Sequence, residues 1–280
     1  MIENRPWLTG FSHLVLILGV LVVALPVWVA IVASTDPANA FGVGHIPLWF
    51  GDQAFANWHQ VLIGKEGQAS QVLRMTLNSL IMALGITFGK IAISLFSAYA
   101  IVFFRFPFRG LEFWVIFFTL MLPVEVRIVP TYEVVANLNL LNSYTGLTLP
   151  LIASATATFL FRQCFMSIPG ELVEAARIDG AGPIRFFFDI LLPMSRTNIA
   201  ALFVILFIYG WNQYLWPLIV TTDDAYYTLV MSVKRMLSVP DGDIEWNKVM
   251  VSTLLAMIPP VLVVIGMQKL FVKGLVDAEK

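Results

Sequence analysis

Six long apolar runs constrain this chain more than any other feature of it. They fall at Ser12 to Ala33, Leu77 to Phe104, Leu111 to Pro130, Thr148 to Phe165, Ile199 to Val220 and Val249 to Val272. A hydrocarbon core about 30 Å thick is crossed by roughly 20 helical residues at about 1.5 Å each. Inside lipid a spanning backbone has to satisfy its own polar groups, which an α-helix does. The pattern therefore predicts an all-α, polytopic membrane bundle of six transmembrane helices, a single domain over residues 1–280 whose first partner is the lipid bilayer. Only 12% of the residues are charged and 59% are hydrophobic, against roughly 25% charged in soluble domains, so the runs are not the buried helices of a soluble core.

Several function classes drop out. The net charge of −1 gives no basic field, so no nucleic-acid partner is expected. One cysteine, Cys164, forms no internal disulfide, and His13, His45 and His59 lack metal-ligand spacing. Cys164 reads as a small apolar residue at a helix end. No nucleophile with a base and no acid–histidine cluster is visible, so catalytic and metal residues are both expected to be none, and the chain is not expected to be an enzyme. The phosphate-loop pattern G-x-x-x-x-G-K-[ST] is missing, since Gly64-Lys65 is followed by Glu66. The first run is followed by Ala38-Asn39-Ala40, which resembles a signal-peptidase site, but it is too long for a signal segment and only Arg5 precedes it. It is expected to remain as an anchor.

Proline punctuates the runs, and kinked or broken helices are expected. Pro123 and Pro130 are expected to interrupt the third, Pro150 to open the fourth and Pro217 to end the fifth, while Pro259-Pro260 lies inside the sixth. With the amino terminus inside, ten of the Lys and Arg residues fall on the cytoplasmic side and six outside. That bias places both termini in the cytoplasm. The outer segment Thr35 to Met75 reads as irregular with a short helix, and Tyr227 to Ser238 as a short amphipathic helix on the outer surface, with Lys234 and Arg235 off its apolar face. Asp223, Asp224, Asp241 and Asp243 are expected to face water or a delivery protein.

The most informative stretch is 166–198, SIPGELVEAARIDGAGPIRFFFDILLPMSRTN at its heart. Pro169 suits a first helical position, Glu171 the acidic first turn, and Gly180 a left-handed stop. A second helix is expected from Pro183 to Pro193. Together they carry more apolar surface than two isolated turns can shelter, so it either folds back on the bundle or meets another protein. Both readings are open at this point.

Glu174-Ala175-Ala176, then Gly180, then Ile190-Leu191-Leu192-Pro193 resembles the EAA signature of bacterial ABC importer permeases. That resemblance implies a type I importer fold and a coupling segment seated in a groove of a cytoplasmic ATPase. It implies that Glu174 offers a carboxylate to the ATPase, that Ala175 and Ala176 allow close packing, that Asp179 and Gly180 make the turn, and that Pro193 fixes the exit. The implied partners are a second permease subunit in a heterodimer, two copies of a nucleotide-binding ATPase and a periplasmic or extracellular substrate-binding protein. The chain itself would hold no cofactor, ATP and Mg being bound by the ATPase, and would reside in a bacterial inner membrane. FIYGWNQYLWPLIV and FVKGLV resemble the carbohydrate-uptake branch of these permeases. MIENRPWLT, TLMLPVEVRIVPTYEVVANL and SATATFLFRQCFM are similar to the second permease subunits of sn-glycerol-3-phosphate importers. The substrate this implies is sn-glycerol 3-phosphate or a related glycerophosphodiester, a sugar or other polyol being the alternative. An ion-coupled secondary transporter is the rival of a different class, which calls for buried charge on several helices and inverted repeats.

Candidate pathway residues are few. Lys90 stands at the middle of the second run, where an unpaired charge costs about 2.5 to 3.5 kcal/mol. Thr87, Lys90, Ser94 and Ser97 fall on one helical stripe facing the interior, and Gly85 and Gly89 make a GxxxG step. Lys90 either lines the pathway or makes a structural pair. Arg127 either pairs with Glu125 or meets a phosphate, whose geometry a guanidinium matches. In the related sugar permeases that stretch is usually uncharged. Asn212 and Gln213 either bind a polyol or serve helix packing.

Overall fold

An uncharged helix, α1 (Pro6–Ala33), begins the fold and continues through Pro26. In the computed structural model, residues 6–38, 40, 48–64, 68–119, 124–238 and 244–278 are described. Next come α2 (Ala54–Leu62), α3 (Gln68–Phe103), α4 (Arg109–Phe118), α5 (Val124–Asn137), α6 (Tyr144–Thr148) with a 3₁₀ turn at Leu149–Leu151, and α7 (Ala155–Met166). Then follow α8 (Gly170–Ile178), α9 (Pro183–Arg185), a π turn at Phe186–Leu191, α10 (Leu192–Met194), α11 (Arg196–Trp211) and α12 (Leu215–Val220). After a 3₁₀ turn at Asp224–Tyr226, α13 (Leu229–Met236) and α14 (Trp246–Ala278) complete the chain.

The six expected spans are not six uninterrupted helices. Among the described residues three helices are long and apolar enough to cross a membrane: Trp7–Ala33, Gln71–Phe103 and Trp246–Gln268. Two bent pairs qualify as broken spans: Tyr144–Leu151 with Ala155–Met166 at 51°, and Pro183–Met194 with Arg196–Trp211 at 72°. The third run holds α4 and α5, and Pro123, expected to interrupt it, lies outside the described residues. Pro130 does not break it, because α5 continues through that residue. Pro259-Pro260 likewise lies inside continuous α14. Pro217 sits within α12 and does not end the fifth run, which breaks earlier, between Trp211 and Leu215. Pro150 lies in the 3₁₀ turn at the first bend.

The chain divides into two compact units, residues 1–73 with 232–257, and residues 74–231 with 258–280. In the first, buried Asn57 donates to the carbonyls of Ser34 and Asp36 at 3.0 and 2.8 Å and accepts from Asn247 Nδ2 at 2.8 Å. The two donated bonds satisfy backbone carbonyls left free where α1 ends. Burial, with the nearby charge of Asp52, pushes the Asp36 carboxyl above its ordinary value.

The second unit is organised around α3. Its 36 residues make a rod of about 54 Å, longer than a hydrocarbon core. A Cβ at Gly85 would stand 2.9 Å from Thr148 Cγ2, and one at Gly89 2.5 Å from Ile152 Cγ2. The GxxxG step therefore seats the broken α6–α7 span directly on the α3 backbone. A Cβ at Gly210 would stand 3.0 Å from Ala83 Cα, so α11 approaches α3 just as closely. The break before α7 is not left unsatisfied: Ser154 Oγ accepts from Ala157 N–H at 3.2 Å, and the Ser154 carbonyl accepts from the hydroxyls of Ser94 at 3.2 Å and Thr158 at 2.9 Å. About three turns into α3, Asn78 Nδ2 donates to the carbonyls of Ala225 and Tyr227, and its Oδ1 accepts from Tyr144 O–H.

Candidate functional site

Two places in the second unit bring together the residues singled out by sequence. The first is the 166–198 segment. Helix α8 starts after Pro169, which precedes the first helical residue rather than occupying it. It ends as expected: Gly180 has φ +73°, Gly180 N–H donates to Arg177 O at 3.1 Å, and Ala181 N–H donates to Ala176 O at 2.9 Å. This paired closure needs a left-handed residue just past the helix, which glycine adopts without Cβ strain. The turn is closed by backbone bonds, and the Asp179 side chain is exposed, so its carboxylate does not supply the cap.

The expected second helix is continuous in outline but not uniformly α. Pro193 has no N–H to offer, and the turn before it widens to π geometry over Phe186–Leu191, with Leu192 N–H donating to Phe187 O. Ser195 then marks the 72° bend into α11, its hydroxyl donating to Leu191 O at 2.8 Å. Pro193 therefore stands at the exit from the segment, half-buried.

The segment has two faces of opposite kind. Inward, Ala176, Phe186, Phe187 and Leu191 are buried in a cluster with Ile91, Leu95, Phe161 and Phe165. Aromatic rings join it to the end of α3: Phe96 with Phe187 and Tyr99 with Phe187 at 5.1 Å between centroids, and Phe103 with Phe186 at 5.3 Å. Tyr99 O–H donates to the Pro183 carbonyl at 2.8 Å. Outward, Glu174 and Ala175 are exposed, Ile178 is 86% exposed and Ile184 76%. The two alanines therefore do different things: Ala175 is free to meet another backbone, whereas Ala176 packs within its own bundle. The fold-back and interface readings of this surface each describe one face of it.

The second place surrounds Lys90. It is 7% exposed, and its Nζ sits 3.7 Å from the centre of the Tyr209 ring, a cation–π contact between α3 and α11. Thr87 and Ser94 on the same stripe are buried, and Ser97 is half-buried. Thr87 donates within its own helix to Ala83 O, whereas Ser94 crosses to Ser154. The ion pairs among the described residues are Arg74–Asp224, Arg185–Asp189 and Lys248–Glu245. None of them involves Lys90. A second cation, Arg127 on α5, acts on Lys90 electrostatically and is itself exposed.

Gln213 Nε2 donates to the Tyr209 backbone carbonyl at 3.2 Å, one helical turn back. Asn212 lies in the α11–α12 break with its side chain exposed. Lys90 and Gln213 therefore meet at Tyr209, one at its ring and one at its carbonyl, and Asn212 makes no side-chain hydrogen bond among the described residues. Sequence reasoning does not single out Tyr209. The signal is present, because an aromatic ring in an apolar span is a low-cost cover for a buried ammonium, but nothing in a linear pattern says which ring faces which lysine.

Asp223 and Asp224 are exposed, Asp223 Oδ1 accepting from Ala225 N–H, while Asp241, Asp243 and the Glu125 side chain lie outside the described residues. Helix α13 carries exposed Lys234 and Arg235, while Leu229 and Met231 are buried.

Comparison with known proteins fits this architecture. A structure of a bacterial ABC transporter involved in import of the acidic polysaccharide alginate superposes with a TM-score of 0.81, over 96% of this chain and 98% of that one, at 20% identity. The fold is shared. The chain is 59% identical, over its full length and theirs, to the sn-glycerol-3-phosphate transport system permease protein UgpE of Escherichia coli strain K12 and of Shigella dysenteriae serotype 1. Residues 90–277, from the buried lysine to the end of α14, match the family described as binding-protein-dependent transport system inner membrane component, and to that family this chain belongs.

Proposed function

We propose that this chain is the permease subunit through which sn-glycerol 3-phosphate crosses a bacterial inner membrane, as a transport component rather than an enzyme. The observation that carries the reading is 59% identity across the whole chain to permeases of that named system. Two cations without a carboxylate partner among the described residues, Lys90 and Arg127, are consistent with an anionic cargo. A delivered phosphate monoester meets Arg127 first, at the exposed position, and Lys90 deeper. Asn212 and Gln213 lie beside this route and take the hydroxyls.

The energy comes from elsewhere. In our reading the outward face of the 166–198 segment docks on an ATPase, with Glu174 pairing a basic residue there, Ala175 allowing close approach, and the backbone of Asp179 and Gly180 holding the turn. Ala176 and Pro193 transmit the movement inward. One such chain pairs with a second permease subunit, two ATPase copies sit beneath them, and a binding protein delivers cargo from outside. Both termini then face the cytoplasm, where Lys and Arg are in excess.

The test is reconstitution. Proteoliposomes holding the full assembly, with binding protein outside and ATP available to the ATPase, import sn-glycerol 3-phosphate and stop when ATP is withheld. Import that persists without ATP, or ATP-driven import of a neutral sugar with none of the phosphate ester, overturns the reading.

A further inference from the structure

We infer that Tyr209 is a placeholder for the phosphate: in the empty permease its ring holds the Lys90 ammonium, and an arriving phosphate monoester takes that ammonium from it. The inference rests on the proposed function for the identity of the cargo, but it assigns a role to a residue that reading leaves unused.

The physical problem is a cation that must remain available. A lysine 7% exposed in a spanning helix needs a partner, because a bare charge at that depth costs several kcal/mol. A carboxylate would satisfy it too well, since a buried ion pair resists separation and its anion would compete directly with the cargo. No such pair forms among the described residues. A ring 3.7 Å away offers attraction of an intermediate size, strong enough to keep the empty state intact and weak enough to be displaced by a dianion.

The surroundings hold that ring in place and leave the ammonium as the movable part. Tyr209 packs against the cluster that contains Met82, Ile86 and Leu151, its carbonyl receives Gln213 Nε2, and the adjacent Gly210 presses on Ala83. A lysine side chain has a flexible four-carbon stem and swings easily. Arg127 adds a like charge that favours an incoming anion. The exchange therefore requires no backbone movement: the ammonium turns from ring to phosphate on loading and returns on release.

A double-mutant cycle on the full assembly separates this from simple packing. Tyr209→Phe keeps a ring and is expected to import sn-glycerol 3-phosphate near the unaltered rate. Tyr209→Leu removes competition for the ammonium, so release slows and turnover falls roughly 2- to 30-fold. In a Lys90→Gln background the same Tyr209→Leu change is expected to have no further effect on turnover. The unfolding midpoint of the substrate-free assembly is measured for the same four combinations. Tyr209→Leu should lower it further when Lys90 is present than in the Lys90→Gln background, and saturating sn-glycerol 3-phosphate should erase that difference.

An equal loss in both backgrounds, a loss in Tyr209→Phe as large as in Tyr209→Leu, or a midpoint difference that the phosphate ester leaves unchanged overturns the inference. If the unaltered assembly imports no sn-glycerol 3-phosphate while the ester still erases the midpoint difference, the transport assignment fails and the phosphate subsite stands.

Discussion

The two ends of the α3 working region are built on opposite principles. Toward its C-terminal end, α3 presents Phe96, Tyr99 and Phe103 to the rings of Phe186 and Phe187, and one hydroxyl, that of Tyr99, completes the contact. Nearer its middle the same helix presents glycines, Thr87, Lys90 and Ser94, and closeness replaces bulk. Large interlocking rings transmit force because they cannot slide without losing dispersion contact. Small residues with spare polar groups let two backbones approach and leave a charge for cargo. One continuous helix, α3, joins the two, so on the proposed function a movement of the 166–198 segment would reach the level of Lys90 through α3.

The sharpest way to break that division is at Gly180, where the mechanical end depends on a backbone shape. Gly180→Val forces a β-branched residue to φ +73°, a cost of about 1–2 kcal/mol. No side chain crowds the position, so the bundle folds while the α8 turn is reset. Uptake in proteoliposomes should fall by at least about tenfold while ATP hydrolysis continues, a change far larger than the stability loss alone gives. Equal, small losses of both would show that the turn is not part of the drive. A different failure is expected at the small-residue end. Gly89→Leu drives a side chain into Ile152, and overpacking of this kind costs about 1–3 kcal/mol. Its signature is a lower unfolding midpoint with transport and hydrolysis reduced together.

These two ends also differ in how much of them a reader of the sequence can see. Gly180, Glu174 and Pro193 stand out because a motif and a turn rule agree on them, and φ +73° at Gly180 is what that rule requires. The stripe Thr87, Lys90, Ser94 is legible because helical spacing alone fixes a common face. What spacing cannot fix is the partner across the interface. Tyr209 lies more than a hundred positions from Lys90, and no local pattern chooses it over Tyr214 or Phe203. The motif groups Ala176 with Ala175, yet about 100° of helical rotation separates adjacent residues and only one of the pair faces outward. Some of the proline readings fail for a related reason. Pro130 is expected to interrupt its run and Pro217 to end its own, but the helices carrying them continue through both residues. The lost backbone bond is local, whereas continuity is decided by the packing around it and by the absence of water to take over the freed carbonyl.

An intermediate effect is expected where the mechanical end carries its single polar contact. Tyr99→Phe keeps every ring contact and removes only the 2.8 Å bond to the Pro183 carbonyl. A lost hydrogen bond of this type costs about 0.5–1.5 kcal/mol. If that bond ties the segment to α3, more ATP should be hydrolysed per molecule imported, while the unfolding midpoint moves little. An unchanged ratio of hydrolysis to import would assign the transmission to ring packing alone.

The smallest effect belongs to Ser94→Ala, and it bears on why the polar stripe exists at all. Ser94 Oγ donates to the Ser154 carbonyl at 3.2 Å, but that carbonyl also accepts from Thr158 O–H at 2.9 Å. Removing the serine hydroxyl therefore leaves the broken span still satisfied, and the cost should stay under about 1 kcal/mol. Ser94→Ala combined with Thr158→Val takes away both hydroxyl donors, and the Thr158 N–H, 3.1 Å from the same carbonyl, still satisfies it. The double change should then cost about the sum of the two single ones, measured as unfolding midpoints of the purified assembly. A cost well above that sum would mean that the hydroxyls hold the joint between α6 and α7, whereas additivity leaves the stripe to the cargo route.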